Sequence, residues 1–365
     1  MPLMEVDTSK ALERENATIL PELASREDES YLDFVESLRS FVLDGMQFDE
    51  QLATRTSHLE DTSEPPAERL EKVRRIARDM PVARVRDRLM RSQQEMKWRR
   101  ICSSLDARRD IHLERLEAAE NRGPARLELD PDFERPDYAN VHFHLQPDGY
   151  HKDPLAGFRY HYGTKIFFVG DNDKDQLHAS LVDNHLPLPA DGRVDRILDL
   201  ACSVGQSTTA LKQKFPQAEV TGIDHSEPML RCAHHRAVEL GVDVCFSQRL
   251  VENTGYKDDS FDIVFSFILF HEIPIRIIHE TLAEVRRVLR PGGLFAVYDF
   301  MMASGMTPAQ LYHRHFDSRN NGEAYGDDFC YTDFDDLLAR YGFVQAAPGK
   351  HLGTTQVWYA TLPTA

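Results

Sequence analysis

The sequence is 365 residues long and strongly acidic, with 60 Asp and Glu residues against 43 Lys and Arg residues and a formal net charge of −17. Such a negative balance argues against a nucleic acid, itself a polyanion, as the general partner. The length exceeds what one ordinary domain needs, so we expect a second structural unit. No apolar run approaches the ~18–20 residues of a membrane span.

The cysteines and the first residues favour a reducing compartment. Five cysteines are scattered along the chain, with no pair at Cys-x-x-Cys spacing. This spacing predicts free thiols and no zinc site. Residues 1–10 are polar and acidic and lack the apolar centre of a secretion signal. We therefore expect a cytoplasmic protein.

Helical periodicity dominates the first third of the chain. Apolar residues recur at three- and four-residue spacing over 27–46, 67–80 and 82–105, and a further helix is predicted near 107–121. The pattern predicts an α-helical domain over 1–125. Its apolar stripes must pack on one another, on the rest of the chain or on a second copy, so a homodimer through these helices is an open alternative.

Charge is unevenly distributed over this helical region. Residues 1–65 are rich in Asp and Glu, whereas residues 66–126 are rich in Arg. The basic block could dock a macromolecule such as RNA, or it could pair with the acidic block across neighbouring helices. We favour the pairing.

A connecting segment over 126–190 is rich in aromatic residues and histidine. His142 and His144 would share one face of a strand, as would His313 and His315 later in the chain. Since no carboxylate–histidine pattern accompanies them, we predict no metal site. The aromatic residues either line a site or pack between the helical domain and the segment that follows.

The most informative stretch of the sequence is 196–208. Ile197, Leu198 and Leu200 predict a buried strand that ends in small residues and runs directly into a helix near Gln206. This arrangement is typical of a nucleotide-like cofactor held at the carboxyl edge of a parallel sheet. Small side chains allow the backbone to approach the ligand, and the helix N-terminus attracts an anionic group.

Further strands alternate with helical segments after this turn. A strand over 218–224 ends in Asp224, which is the residue type that grips two vicinal ribose hydroxyls. Strands over 243–247, 260–267 and 294–298 follow. The alternation predicts an α/β fold with a doubly wound, Rossmann-like parallel sheet.

Residues 191–365 resemble the class I S-adenosylmethionine-dependent methyltransferases. Four pieces carry the resemblance, namely Leu198-Asp-Leu-Ala-Cys-Ser-Val-Gly205, Gly222-Ile-Asp224, Ser260-Phe-Asp-Ile-Val264 and Leu289-Arg-Pro-Gly-Gly293. The resemblance implies S-adenosyl-L-methionine as cofactor and methyl transfer to a small-molecule acceptor. It also implies that segment 126–190 caps the cofactor and the substrate entrance.

Two parts of the sequence depart from the family pattern. The family usually has glycine where this chain has Ala201 and Ser203, so that only Gly205 remains. Alanine and serine still permit close approach of a ligand if their φ angles stay negative, so we interpret the two substitutions as tolerated rather than disabling. The family often places an acid near the adenine amine where this chain has Leu250 and Val251, so adenine would rely on backbone contacts and apolar packing.

Methyl transfer from a sulfonium is an in-line displacement, which needs alignment, exclusion of water and removal of any proton on the acceptor atom. His271 and Glu272 follow the strand 260–267. We prefer His271 as the general base, with Glu272 orienting it or acting alone. Alternatively, the pair only begins the next helix. The Asn/Asp-Pro-Pro-Tyr/Phe tetrad of nucleobase amine methyltransferases is absent.

A long polar and aromatic excursion over 299–328 follows the fifth strand, and a helix over 334–341 and a strand over 355–362 close the chain. Long loops at this edge of the sheet commonly build substrate pockets. A solvated loop is the competing interpretation.

These arguments predict two groups of binding residues beside the catalytic pair. The predicted cofactor site comprises Asp199, Ala201, Ser203, Gly205, Asp224, His225, Leu250, Val251, Ser266 and Phe267. The predicted acceptor site comprises Tyr160, His161, His315, Asn321 and Glu323. Two other functions stay open: an RNA- or protein-modifying methyltransferase that docks through 66–126, and a cofactor-binding regulatory domain without turnover.

Overall fold

A computed structural model describes residues 20–59 and 63–364. Eight strands form one sheet in the order β1-β4-β3-β2-β5-β6-β8-β7. The strands are β1 (Arg126–Glu128), β2 (Arg196–Leu200), β3 (Glu219–Asp224), β4 (Cys245–Gln248), β5 (Phe261–Phe267), β6 (Leu289–Phe300), β7 (Val344–Leu352) and β8 (Thr355–Thr361). Strands β1 to β6 pair in parallel, whereas β8 is antiparallel to both β6 and β7. The predicted doubly wound fold is confirmed.

Thirteen α-helices accompany the sheet in the described part of the chain. They are α1 (Arg26–Ser40), α2 (Phe48–Thr56), α3 (Pro66–Arg78), α4 (Pro81–Asp106), α5 (Arg109–Glu120), α6 (Ala156–Phe167), α7 (Gln176–His185), α8 (Gln206–Lys214), α9 (Glu227–Leu240), α10 (Ile275–Val288), α11 (Pro308–Asn320), α12 (Gly326–Cys330) and α13 (Phe334–Arg340). Within residues 20–59 and 63–364, no helix combines the length and the apolar character that crossing a bilayer requires.

The central strand β2 is buried on both faces because helices cover both sides of the sheet. Ile197 packs into the apolar cluster that includes Leu211 of α8, whereas its neighbour Leu198 packs into the opposite cluster with Ile278 of α10. Alternating side chains on opposite faces are expected for a strand, and continuous apolar residues are expected where both faces are covered. Leu198 lies level with Thr221 of β3 and pairs with β5 on its other side.

The helical region departs from the predicted helices at two places, and one of them is α2, which was not predicted. The helix predicted over 27–46 ends at Ser40 and continues as a π-helical turn over Phe41–Gly45. Pro81 lies between the helices predicted over 67–80 and 82–105, and in the structure it occupies the first turn of α4, where a missing N–H costs no hydrogen bond.

Acidic and basic helices pair as the charge distribution predicted. Arg100 of α4 contacts Asp28 of α1 at 2.8 Å, and Ser104 also donates to Asp28 at 2.8 Å. The fully buried Arg69 of α3 donates instead to backbone carbonyls at Ala303 and Met306, at 3.1 and 3.0 Å. The helical region is therefore joined to the chain that follows β6.

Two predicted local structures differ in the connecting and C-terminal segments. His142 and His144 do not share the face of a strand, because the chain forms a 3-10 turn over Phe143–Leu145 with a positive φ of 52° at His144. Residues 299–328 are not an extended loop, since they include α11 and the beginning of α12. His313 and His315 lie in α11 and therefore do not share the face of a strand either. The proposed boundaries 1–125, 126–190 and 191–365 stay predictions, as do the homodimer and the cytoplasmic location.

The two outer strands of the sheet differ from the central ones. The strand β1 has three residues and is contributed by the connecting segment. The strand β7 is mostly exposed, and its pairing with β8 shifts register twice, on either side of Ala347.

Candidate functional site

A cavity opens at the carboxyl ends of the central strands. The strand β2 lies between β3 and β5, so the chain leaves it in one direction and later returns on its other side. Such a reversal of strand order creates a crevice at the carboxyl edge of an α/β sheet. The cavity occupies about 1630 Å³, including its open mouth, and is lined by residues of α4, α6, the loop after β2 and the ends of β3 and β5.

The loop after β2 approaches the cavity in a left-handed conformation. The φ angles are 50° at Ala201, 50° at Ser203 and 76° at Gly205. The condition of negative φ at Ala201 and Ser203 is therefore not met, and the loop keeps a glycine-like backbone at two non-glycine residues. Only at Gly205 is there no room for a side chain, because a Cβ there would lie 2.6 Å from the ring of Phe246.

Asp224 is held rigidly at the end of β3. One carboxylate oxygen accepts from the Ser203 backbone N–H at 3.0 Å, and the other accepts from the Ser226 N–H at 2.9 Å. The residue is buried yet lines the cavity. Because each carboxylate oxygen can accept two hydrogen bonds, each one retains acceptor capacity. The geometry offers two fixed acceptors for a pair of neighbouring hydroxyls.

Asp199 lies beneath the same loop, at the level of the sheet. The Thr208 hydroxyl donates to it at 2.6 Å, and burial raises the pKa of the Asp199 carboxyl to about 7. Burial disfavours the charged form, and this outweighs the hydrogen bond that favours it. Asp199 also lines the cavity.

A chain of histidines and carboxylates lies on the other side of the crevice. The His271 Nδ1 lies 2.7 Å from Asp299, and its Nε2 lies 3.4 Å from Glu323. His144 contacts Glu323 at 3.1 Å and Glu272 at 3.3 Å. Asp299 is completely buried. It also accepts from the backbone N–H groups of Leu269 and Phe270, in the turn after β5, and of Phe300.

Charges in this network stabilise one another. The neighbouring carboxylates raise the pKa of His144 to about 10, although burial alone would lower it. In turn, His144, His271 and Arg314 hold the pKa of Glu323 at about 2 against the effect of burial. Opposite charges at these distances favour the charged forms, so His144 is cationic and Glu323 anionic at neutral pH.

Three members of the network have the spacing of a possible cation site. Ligand atoms of His271, Glu272 and Glu323 lie within 4.8 Å of one another. The same carboxylates already contact His144, and Arg314 acts on Glu323, so their charge is compensated by protein groups. The prediction of no metal site stays a prediction.

The structure brings together most, but not all, of the predicted site residues. Those that line the cavity are Asp199, Ala201, Ser203, Asp224, His225, Leu250, Val251, Phe267, Glu272 and Tyr160. Those placed outside its lining are Gly205, Ser266, His271, His161, His315, Asn321 and Glu323.

The residues outside the lining have identifiable structural surroundings. His271 is completely buried behind Glu272, with its ring 3.7 Å from that of Phe300. Asn321 binds Gln94 and Asp317 through its side-chain amide, at 3.0 and 2.7 Å. We therefore place His271 and Asn321 behind the cavity rather than in contact with its contents.

Sequence reasoning missed the cavity residues that the helical region supplies. Lys97 and Trp98 of α4 lie in its wall, and the Trp98 indole N–H donates to the His144 carbonyl at 2.6 Å. Gly163 of α6 faces Trp98 so closely that a Cβ would lie 2.5 Å from the indole. The available signal was a lysine and a tryptophan next to each other in a predicted helix, but this signal could not reveal which part of the protein these two side chains contact.

Comparison with known proteins supports the resemblance read from the sequence. Residues 197–293 match a family described as a methyltransferase domain. Over 108 residues the chain is 37% identical to a demethylmenaquinone methyltransferase of Thermus thermophilus, which covers 29% of this chain and 47% of that protein. Over 128 residues it is 35% identical to a 27-O-demethylrifamycin SV methyltransferase of Amycolatopsis mediterranei, covering 34% and 44% of the two chains.

The chain thus spans about half the length of these curated relatives. Among solved structures, an O-methyltransferase family protein of Burkholderia thailandensis aligns at a TM-score of 0.45 and 16% identity, over 56% of this chain and 60% of that one.

Proposed function

We propose that the chain is an enzyme of the class I, S-adenosylmethionine-dependent methyltransferases and that it methylates a small molecule; the match of residues 197–293 to a methyltransferase domain supports this proposal. The donor is S-adenosyl-L-methionine, which supplies an electrophilic methyl group on a sulfonium. The relatives named above are methyltransferases of demethylmenaquinone and of 27-O-demethylrifamycin SV, both of which are small molecules. The reaction class does not by itself identify the acceptor molecule of this chain.

The observation that carries the proposal is the carboxylate of Asp224. Its two oxygens are fixed by backbone N–H groups of Ser203 and Ser226 and keep acceptor capacity beside the cavity. A carboxylate so placed matches the vicinal hydroxyls of a ribose. The left-handed loop at Ala201 and Ser203 brings backbone rather than long side chains to the same space.

The remaining lining fits the other parts of the cofactor. Leu250 and Val251 offer an apolar surface for the adenine ring, next to the ribose carboxylate. The first residues of α8 line the cavity as well, and their free N–H groups favour an anionic group such as the methionine carboxylate. Phe267, packed edge-on against His178 at 5.0 Å, closes the wall at the end of β5.

The acceptor side of the cavity is aromatic and encloses the reacting atoms. Trp98, Phe143, Tyr150, Tyr160 and Phe167 all line it. Such a wall excludes water and orients a planar molecule, and alignment of this kind contributes much of the rate in displacement reactions.

We assign proton removal from the acceptor to Glu272 rather than to His271. Glu272 lines the cavity, accepts from the Tyr150 hydroxyl at 3.4 Å and contacts His144. His271 has no exposed surface, so it acts as a positioning residue within the network that holds Glu272 in place. The acceptor proton would pass to the Glu272 carboxylate as the methyl group is transferred.

Two measurements test this function. Calorimetric titration should show binding of S-adenosylmethionine, and assays over a panel of aromatic small molecules should show release of S-adenosylhomocysteine. No binding would refute the proposal. Binding without release from any acceptor would favour the regulatory alternative, whereas salt-sensitive retention of RNA would favour a macromolecular substrate.

A further inference from the structure

A buried lysine without an acidic partner lies in the cavity wall. Lys97 is 1% exposed, and within residues 20–59 and 63–364 its amino group has no hydrogen-bond or ion-pair partner. Its Nζ makes a cation–π contact with the ring of Trp98, whose centroid lies 4.3 Å away. Burying a charged amine without a counter-charge is costly, so the Lys97 amine either stays neutral or is protonated together with an anion that the protein itself does not provide.

A second buried cation adds to the positive character of this wall. Arg39 is 2% exposed, donates through Nε to the Phe167 carbonyl at 2.9 Å and lies 4.4 Å above the Phe167 ring. Its Nη1 is buried without a hydrogen-bond partner among the described residues. The charge of Asp317 raises the pKa of the Arg39 guanidinium, against the larger effect of burial. The charge of Arg39 in turn lowers the pKa of the Lys97 amine.

Burial and the neighbouring guanidinium hold the pKa of Lys97 well below its ordinary value. An anion that enters the cavity would reverse this effect, because it would favour the protonated amine. The cavity carboxylate Glu272 pairs with His144, whose backbone carbonyl accepts from the Trp98 indole. The Lys97 amine is therefore left available to an anion that enters the cavity.

We propose that Lys97 is a binding residue for a carboxylate held in this cavity, flanked by the aromatic side chains of Trp98 and Phe167. Two sources of that carboxylate fit the chemistry: an aromatic acid that serves as acceptor, and the methionine part of the cofactor. The inference rests on the proposed function for the second source only. The first source needs no more than the cavity itself.

Binding measurements on Lys97→Met separate the two sources. The probes are 2-naphthoate, its neutral analogue 2-naphthamide, S-adenosylhomocysteine, and methylthioadenosine, which lacks the carboxylate. Lys72→Met is the matched control, since Lys72 is 43% exposed and pairs with Glu64 on the surface. A lost charge-assisted contact predicts about tenfold weaker binding, or more, of the carboxylate that Lys97 holds.

Each result decides the proposal. Weaker 2-naphthoate binding with unchanged S-adenosylhomocysteine binding identifies an acidic acceptor. Weaker S-adenosylhomocysteine binding with unchanged methylthioadenosine binding identifies the cofactor carboxylate. Unchanged binding of both carboxylates overturns the proposal, even if S-adenosylhomocysteine binds and the proposed function stands.

If the variant does not fold, the unaltered protein still provides a test. It should bind either 2-naphthoate at least about tenfold more tightly than 2-naphthamide, or S-adenosylhomocysteine that much more tightly than its carboxamide analogue. The absence of both preferences would overturn the assignment of Lys97. Failure of all adenosine compounds to bind would instead refute the proposed function.

Discussion

Replacing Asp224 with alanine tests the core of the site. The substitution removes two acceptors that the backbone at Ser203 and Ser226 holds in place. Hydrogen bonds to a charged group contribute about 1.5–3 kcal/mol each, so loss of two contacts with ribose hydroxyls costs about 3–6 kcal/mol. At about 1.4 kcal/mol per factor of ten, affinity for S-adenosylhomocysteine should fall at least about 100-fold.

Isothermal titration calorimetry measures the effect directly. Asp243→Ala is the matched control, because it also replaces an aspartate with alanine but does so at an exposed position shortly before β4. Methylthioadenosine should lose affinity to the same extent, since it carries the same ribose. If folded Asp224→Ala binds S-adenosylhomocysteine within about twofold of the unaltered protein, the ribose assignment is wrong.

Three further changes probe the loop, the charge network and the base. In urea unfolding, Gly205→Ala should lower the free energy of unfolding by more than Gly241→Ala does. Both glycines have a positive φ, which costs alanine about 1–2 kcal/mol. Of these two positions, only Gly205 would also place the new Cβ 2.6 Å from the Phe246 ring. Equal losses would contradict this. Because the pKa of His144 is raised to about 10, its stabilisation is complete below about pH 6.5 and is lost as pH rises towards 10. The unaltered protein should therefore lose more unfolding free energy between pH 6.5 and 9.5 than His144→Gln, and parallel pH profiles would refute the ion pair. Once an acceptor is known, Glu272→Gln should lower kcat by about 10²–10⁴-fold with cofactor affinity unchanged, whereas an unchanged kcat would exclude Glu272 as base.

The sequence was sufficient for the elements whose side chains repeat regularly. The strand around Leu198 and the helix beginning near Gln206 were predicted because an apolar run ending in small residues has few other structures available. The position of Asp224 at the sheet edge was predictable because the end of a parallel strand has a fixed place there, whereas its role with ribose stays a prediction. These are local patterns, and local patterns are visible in one sequence.

Features that depend on distant contacts were not predictable in the same way. The left-handed φ at Ala201 and Ser203 reflects tertiary packing that overrides the preference of these residues for negative φ. His271 occurs at the expected position in the chain, but Asp299 and Glu323 enclose it from segments 28 and 52 residues later. Lys97 enters the cavity only because α4 packs across α6, which no periodicity within α4 reveals.

The outermost strands bear on how copies of this protein can meet. A free strand edge presents unsatisfied N–H and C=O groups, which invite another chain to add itself and propagate fibrous assembly. At one end β1 offers merely three residues, and at the other β7 carries Pro348 and repeated bulges beside Lys350. Both terminations are poor templates for strand addition. These two described edges therefore disfavour association through backbone pairing, and contacts between copies through side-chain surfaces would take their specificity from shape and charge.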